Sequence, residues 1–237
     1  AGKDGRHPMA RNRAPAAAVP VAVVAADSGP SSRGVVAEDP LQTLEHIAGE
    51  VAECKRCVLH AERRKVVPGQ GNGRCPDIMF IGEAPGADED AQGLAFVGRA
   101  GQLLTRMIEA MGYRRDDVFI ANICKCRPPG NRRPAPDEMS ACLPFLKRQI
   151  AVIRPRTIVA LGNVAIEGLL GQSGITRLHG LWTNFEGIPL LPTYHPAYLL
   201  RFPAVKRNAW EDLKKVLRKL GRPVPRGAGK RTDGSGA

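Results

Sequence analysis

The sequence predicts a three-layer α/β/α sandwich built on a central, mostly parallel sheet. Four short runs, residues 77–82, 118–122, 157–161 and 188–191, are rich in strand formers and apolar on both alternating sets of positions, as strands covered on both faces are. Between them lie segments with apolar residues at helical spacing, and strands that alternate with helices form parallel sheets sandwiched by those helices.

The elements follow in order. Asp39 precedes Pro40, an N-cap followed by proline at the first helical position, and Leu41, Leu44, Ile47 and Val51 recur at helical spacing. That helix delivers Cys54. A glycine-rich loop over 68–73 leads into the strand at 77–82, and 101–111 forms an amphipathic helix. The pattern then repeats as strand 118–122, helix 137–153, strand 157–161, helix 164–170, strand 188–191 and a closing helix over 206–220.

In open α/β sheets ligands bind beyond the carboxyl ends of the strands, so the segments 82–86, 122–126, 162–163 and 192–196 are expected to converge. Within them His195 is either ligand-facing or merely solvated, and Asn122 either meets a ligand or caps its strand. Phe96, in a glycine-rich loop, is either core or a stacking platform.

The 237 residues carry a formal net charge of +12, with +1 on residues 1–40 and +3 on 221–237, which leaves +8 on the body. Lys55, Arg56, Arg63, Arg64 and Lys65 follow the first cysteine pair, and Lys125, Arg127, Arg132 and Arg133 surround Cys126. Such clusters point to a polyanion. Nucleic acid fits better than an anionic membrane, because no basic amphipathic helix stands out. The expected organisation is a disordered Ala/Pro-rich basic tail over 1–39, a single domain over 40–220 and a disordered basic tail over 221–237. Residues 11–26 resemble a signal peptide in composition but are interrupted by Pro15 and Pro20. They read as a linker, and thiols kept reduced for a metal imply a cytoplasmic protein.

Those thiols are distinctive. Cys54 and Cys57 form C-x-x-C, while Cys126 and Cys142 have fifteen residues between them in a second, basic and proline-rich region. Six cysteines are too few for a disulfide scaffold in a chain long enough to bury its own core. A four-cysteine zinc knot would normally repeat C-x-x-C in its second half. The observed spacing leans towards an iron-sulfur cluster but leaves zinc open. Cys75 and Cys124 read as buried small apolar side chains.

Three blocks, GEAPGADEDAQGLAFVGRAGQLL (82–104), NICKCRPPGNRRPAP (122–136) and HPAYLLR (195–201), together with the four cysteines, resemble the family 4 uracil-DNA glycosylases, the iron-sulfur type. The resemblance spans about 41–220. It implies an α/β/α sandwich in which Cys54, Cys57, Cys126 and Cys142 ligate one structural [4Fe-4S] cluster. It also implies a monomer acting on uracil in single- or double-stranded DNA.

Carried over residue by residue, the resemblance has Phe96 stack on the flipped base, Asn122 read its Watson–Crick edge and His195 donate to uracil O2. An amide suits uracil, since it offers an acceptor for N3–H and a donor for O4. Leu199 is the implied DNA wedge, with core packing as its alternative. Family 1 enzymes carry an aspartate where Ala84 stands beside the base, so water handling falls to Glu83 and Asn131. Glu89 would narrow the pocket against the thymine methyl.

The plainer readings are a Glu83 carboxylate bonded to loop amides and a solvated acidic turn or helix N-terminal charge cluster at Asp88, Glu89 and Asp90. No lysine matches an imine-forming nucleophile, so a monofunctional enzyme is expected. The basic segment holds no histidine for covalent trapping of DNA. The alternative from another class is a non-catalytic DNA-binding module stabilised by a four-cysteine metal site. An iron-sulfur electron-transfer protein is a third, and leaves the basic loops idle.

Overall fold

A computed structural model describes residues 39–225. The linker at 11–26 and the expected tails up to residue 38 and from residue 226 lie outside the described residues. No helix among the described residues is long and apolar enough to cross a membrane.

Six strands form one sheet in the order β1-β3-β2-β4-β6-β5: β1 (Gln70–Gly71), β2 (Ile78–Gly82), β3 (Phe119–Asn122), β4 (Thr157–Leu161), β5 (Thr183–Phe185) and β6 (Ile188–Thr193). The central β3-β2-β4-β6 pairs are parallel, and the short edge strands β1 and β5 are antiparallel. From β2 the chain goes to β3 on one side, then crosses to β4 on the other. This reversal opens the sheet's carboxyl edge to a ligand.

The strand residues divide by parity into two cores. Ile78, Phe80, Ile120, Val159, Leu161 and Leu191 face α3 (Arg99–Ala110) and α8 (Lys206–Lys219). Met79, Ile81, Ala121, Ile158, Ala160 and Leu190 face α4 (Pro136–Ile153) and α5 (Gly162–Leu170). Burial on both faces is why these strands lack polar alternation, and the expected three-layer sandwich is what forms. Helix α1 (Pro40–Glu53) starts where Leu41 N–H bonds the Asp39 carboxylate, and packs Ile47 and Val51 on Phe145 of α4.

Three differences from the sequence reading matter. The glycine-rich loop contains β1, whose Gly71 has φ +119° and lies so close to Val118 O that a Cβ would meet it at 2.0 Å. The His-Pro turn opens a helix, α7 (Pro196–Arg201), with Pro196 at its first position and His195 as N-cap. The folded domain also runs past residue 220: Arg222 bonds Asp77, and Val224 packs on the α3/α8 core.

Candidate active site

The four strand-end segments converge as the topology requires. They line a cleft of about 720 Å³ that holds Glu83 to Glu89, Phe96, Asn122, Gly162, Asn163, Tyr194 and His195, with Arg99, Arg132 and Arg201 at its walls.

Phe96 is 6% exposed and sits at φ +52°, a conformation that a bulky residue holds only where its surroundings impose it. The imposing contacts are specific. Glu89, in α2 (Ala87–Gln92), accepts at Oε1 from the Val97 and Gly98 amides (both 2.8 Å) and at Oε2 from Gly86 N–H (3.1 Å). Ala95 N–H donates to Gln70 Oε1 at 2.9 Å, and its carbonyl accepts from Arg115. Beneath the loop, Gly101 lies so near the Phe96 backbone that a Cβ would meet its carbonyl at 1.9 Å. Glu89 therefore lines the cleft, but its carboxylate is committed to holding the Phe96 loop. It is a backbone staple rather than part of a solvated acidic turn. Its neighbour Asp90 is also buried, accepting from Arg64 N–H at 2.9 Å.

Asn122 ends β3 with its side chain 1% exposed, and its Oδ1 is buried without a hydrogen-bond partner. A methyl on Gly82 would meet that oxygen at 2.5 Å and Phe96 Cζ at 2.4 Å, so glycine is needed there to leave both groups in place. The Asn122 carbonyl accepts from the buried Lys125 ammonium at 3.0 Å. The ammonium also donates to Gln149 Oε1 at 2.7 Å, and Gln149 in turn donates to Pro68 O. Burial pulls the Lys125 pKa down to about 8, which leaves it largely charged near neutrality. Lys125, one of the basic residues clustered around Cys126 in the sequence, is thus buried and not part of a basic surface. The available signals were its place between two cysteines in a strand exit and a glutamine on the apolar face of α4, between Leu146 and Ile150.

His195 lies opposite, with its ring centroid 5.6 Å from that of Phe96. Its Nδ1 accepts from Ala197 N–H at 3.2 Å, which places the imidazole proton on Nε2, the nitrogen free to donate. Burial, reinforced by the charge of Arg201 and opposed by that of Glu89, lowers its pKa from 6.5 to about 4, so the ring is neutral at pH 7. Two residues earlier, Thr193 donates at 2.8 Å to the buried Asp212 carboxylate, which also contacts His179 Nδ1 at 3.0 Å. Gly162 has φ +84° and passes under His195, where a Cβ would approach within 2.9 Å.

Glu83 is half-buried in the cleft wall, and its carboxylate has no hydrogen-bond or ion-pair partner among the described residues. Burial raises its pKa, with Arg133 opposing. Asn131 is exposed on the rim at φ +56°, and its Oδ1 accepts from Arg127 Nε at 2.7 Å. Ala84 lines the cleft beside Glu83. Leu199 departs from its expected role as wedge. It is 1% exposed and packed with Leu103, Tyr194 and Ala209, because the helix that begins at His195 turns this side chain into the core.

A second hollow is lined by Cys54, Cys57, Cys126 and Cys142 with Arg56, His60, Arg63, Lys125 and Phe145. Arg63 donates to Cys126 Sγ at 3.2 Å and to the carbonyls of Cys54 and Ala52, and Lys125 N–H donates to Cys142 Sγ at 3.2 Å. A hydrogen bond from Cys124, with the charge of Lys125, holds the Cys142 thiol below its ordinary range against the opposing effect of burial. Among the described residues no three His, Cys, Asp or Glu side chains are grouped as one metal ion would hold them. Cys124 is buried, as expected. Cys75 is not: it is exposed at φ +49°, its thiol directed at Arg154 O, because it sits on the turn before β2 rather than in the strand.

An α/β/α sandwich with a cleft at the carboxyl edge of its sheet belongs to the class of open-sheet proteins that bind their ligands at that edge. The profile of the Uracil DNA glycosylase superfamily matches residues 68–214. The chain is 46% identical over 186 residues to the type-4 uracil-DNA glycosylase of Sulfurisphaera tokodaii, covering 74% of this chain and 84% of that protein. It is 40% identical over 194 residues to that of Archaeoglobus fulgidus (78% and 97% covered) and 43% identical over 180 residues to that of Thermotoga maritima (74% and 93%). The chain belongs to the uracil-DNA glycosylase superfamily, among its type-4 members.

The His195 geometry has a direct readout. Its folded pKa of about 4 lies below the ordinary 6.5, so the stability gained by burying a neutral ring is present above pH 6.5 and is lost as pH falls towards 4. Nitrogen-15 NMR is expected to show an Nε2–H tautomer at pH 7 that stays neutral to below pH 5, well under the ordinary histidine range. A ring titrating near 6.5 would contradict the enclosed site.

Proposed function

We propose that this chain is a monofunctional uracil-DNA glycosylase that draws a flipped uracil into the cleft and hydrolyses its N-glycosidic bond, opening base-excision repair. The observation that carries the reading is the buried, unpartnered Asn122 Oδ1 between Phe96 and Gly82, in the cleft that a neutral His195 also lines. An orphaned acceptor in an apolar recess costs about 1–3 kcal/mol unless a ligand satisfies it. Uracil N3–H does so, and the same amide's NH₂ donates to O4.

The base must leave the helix first, since its glycosidic carbon is unreachable within the stack. Phe96 then covers the ring face, and the fixed loop beneath it makes this surface rigid. As the C–N bond breaks, positive charge develops on the sugar and negative charge on uracil. A neutral Nε2–H aimed at O2 stabilises that anion, and a preorganised donor of this kind is worth about 100- to 1000-fold in rate. Glu83 is the group placed to orient water, since its carboxylate is free of protein partners, whereas the Asn131 oxygen is already engaged by Arg127. With Ala84 beside the base, no second carboxylate stands there. No lysine lines the cleft among the described residues, and the Lys125 ammonium is committed to Asn122 and Gln149, which supports hydrolysis without an imine.

Arg99 and Arg201, exposed at the cleft, suit the phosphates on either side of a flipped nucleotide, whereas the Arg132 guanidinium is engaged by Glu138.

The thiol hollow fits a [4Fe-4S] cluster. Its donors are four thiols without a carboxylate among them, two of them receive N–H bonds that favour thiolate, and they ring a hollow instead of meeting at one ion. Cys54, Cys57, Cys126 and Cys142 would hold the cluster, whose iron–thiolate bonds would tie the end of α1, the exit of β3 and α4 together.

Three measurements check these assignments. Incubation with uracil-containing oligonucleotides is expected to release free uracil and leave strands that break only on alkali treatment. Asn122→Asp is expected to lose most uracil excision and to gain slow excision of unpaired cytosine, because a protonated carboxyl donates to cytosine N3 and accepts from N4. A variant with wild-type preference would contradict base reading by Asn122. Metal analysis of protein purified without oxygen is expected to find about four iron atoms per chain. That complement is lost in Cys126→Ser and kept in Cys75→Ser; zinc in place of iron and sulfide would refute the cluster.

A further inference from the structure

An aromatic column leaves the cleft along α7. Tyr194 precedes the N-cap of α7, Tyr198 lies within the helix and Phe202 is its C-cap, so the three rings follow one another from the start of the helix to its end. Tyr198 stacks on Tyr194 with centroids 5.6 Å apart and planes 13° apart, and Phe202 lies 4.6 Å from Tyr198. Exposure rises along the column. Tyr194 is 6% exposed, Tyr198 is half-buried in the cleft wall, and Phe202 is 49% exposed just beyond it.

The corner that carries Phe202 is firmly built. Its N–H donates to Tyr198 O at 2.9 Å, its carbonyl accepts from Val205 N–H at 3.1 Å, and Pro203 follows. Around the ring, Arg201, Lys206 and Arg207 are exposed cations. A large apolar ring, backed by two further rings and flanked by positive charge, is matched by the π-face of a nucleobase between phosphates. Leu199 cannot serve there, since it is locked in the core.

Resting on the reading of the cleft as a site for flipped uracil, we propose that Phe202 enters the DNA base stack beside the space the uracil vacates, with Tyr198 and Tyr194 as its rigid backing. The Tyr194 backbone leads directly into His195, so the wedge and the leaving-group donor ride on one short rigid segment. Insertion holds the duplex open while the base is in the cleft. A single strand has no opposing stack to hold apart.

The test compares wild type, Phe202→Ala and Phe202→Trp in single-turnover excision from an A·U duplex and from the same strand alone. Fluorescence of 2-aminopurine placed next to the uracil reports unstacking. Phe202→Ala is expected to lose about tenfold or more on the duplex and less than about threefold on the single strand, with the 2-aminopurine change reduced. Phe202→Trp is expected to keep duplex activity, and thermal unfolding midpoints to stay at the wild-type value. Equal losses on both substrates, or none on either, would overturn the wedge while leaving uracil excision by the wild type intact. Wild-type protein inactive on both substrates would instead refute the reading of the cleft. Self-association abolished by Phe202→Ala, with excision unchanged, would assign the ring to contact between copies and equally overturn the proposal.

Discussion

The buried ammonium of Lys125 is the contact on which both halves of the site depend. Strand β3 must end with Asn122 facing the cleft and, within four residues, deliver Cys126 to the thiol hollow. An irregular strand exit of this kind leaves backbone groups without sheet partners. Lys125 supplies them, with its side chain on the Asn122 carbonyl and its amide on Cys142 Sγ. Gln149 anchors the same ammonium to α4, the helix that carries Cys142. A charge buried here is costly alone, but bonds to two oxygens offset that cost.

The same device recurs around the cleft. Glu89 holds the Phe96 loop through three backbone amides, and Asp212 holds Thr193 ahead of His195. Each residue proposed to touch the base is thus supported by an ionisable side chain spent on positioning. Such support matters because a rate advantage from hydrogen-bond donors depends on their being in place before charge develops. It also lets Phe96 remain at φ +52°, with Gly82 and Gly101 giving its ring and backbone room. The site's strain and its polar orphan are accommodated by neighbours within one or two residues of each strand end.

Much of this was legible in the sequence. Uninterrupted apolar strands identified the parallel sheet, and the rule for its carboxyl edge brought together Glu83, Asn122, Gly162 and His195 without their side-chain geometry. The misses have physical causes. Strands β1 and β5 are two and three residues long and depend on pairing with a neighbour, so they carry little local pattern. Helix α7 was signalled by a proline at its first position, but six residues are too few to show a period. Leu199 was open to either a wedge or a core reading until the course of α7 placed it inside. Lys125 counted only as one of a basic cluster and Glu89 as a pocket wall or an acidic turn, since composition cannot reveal that a charged group will bond to backbone.

Lys125 is expected to preorganise Asn122 for the chemical step and to contribute little to holding DNA. The most direct test is the single-turnover excision rate of Lys125→Met at saturating enzyme on uracil-containing DNA. Loss of a charged hydrogen bond worth about 1.5–3 kcal/mol predicts excision slower by roughly tenfold to a hundredfold, with affinity for DNA near the wild-type value. An unchanged rate at saturation would contradict the account.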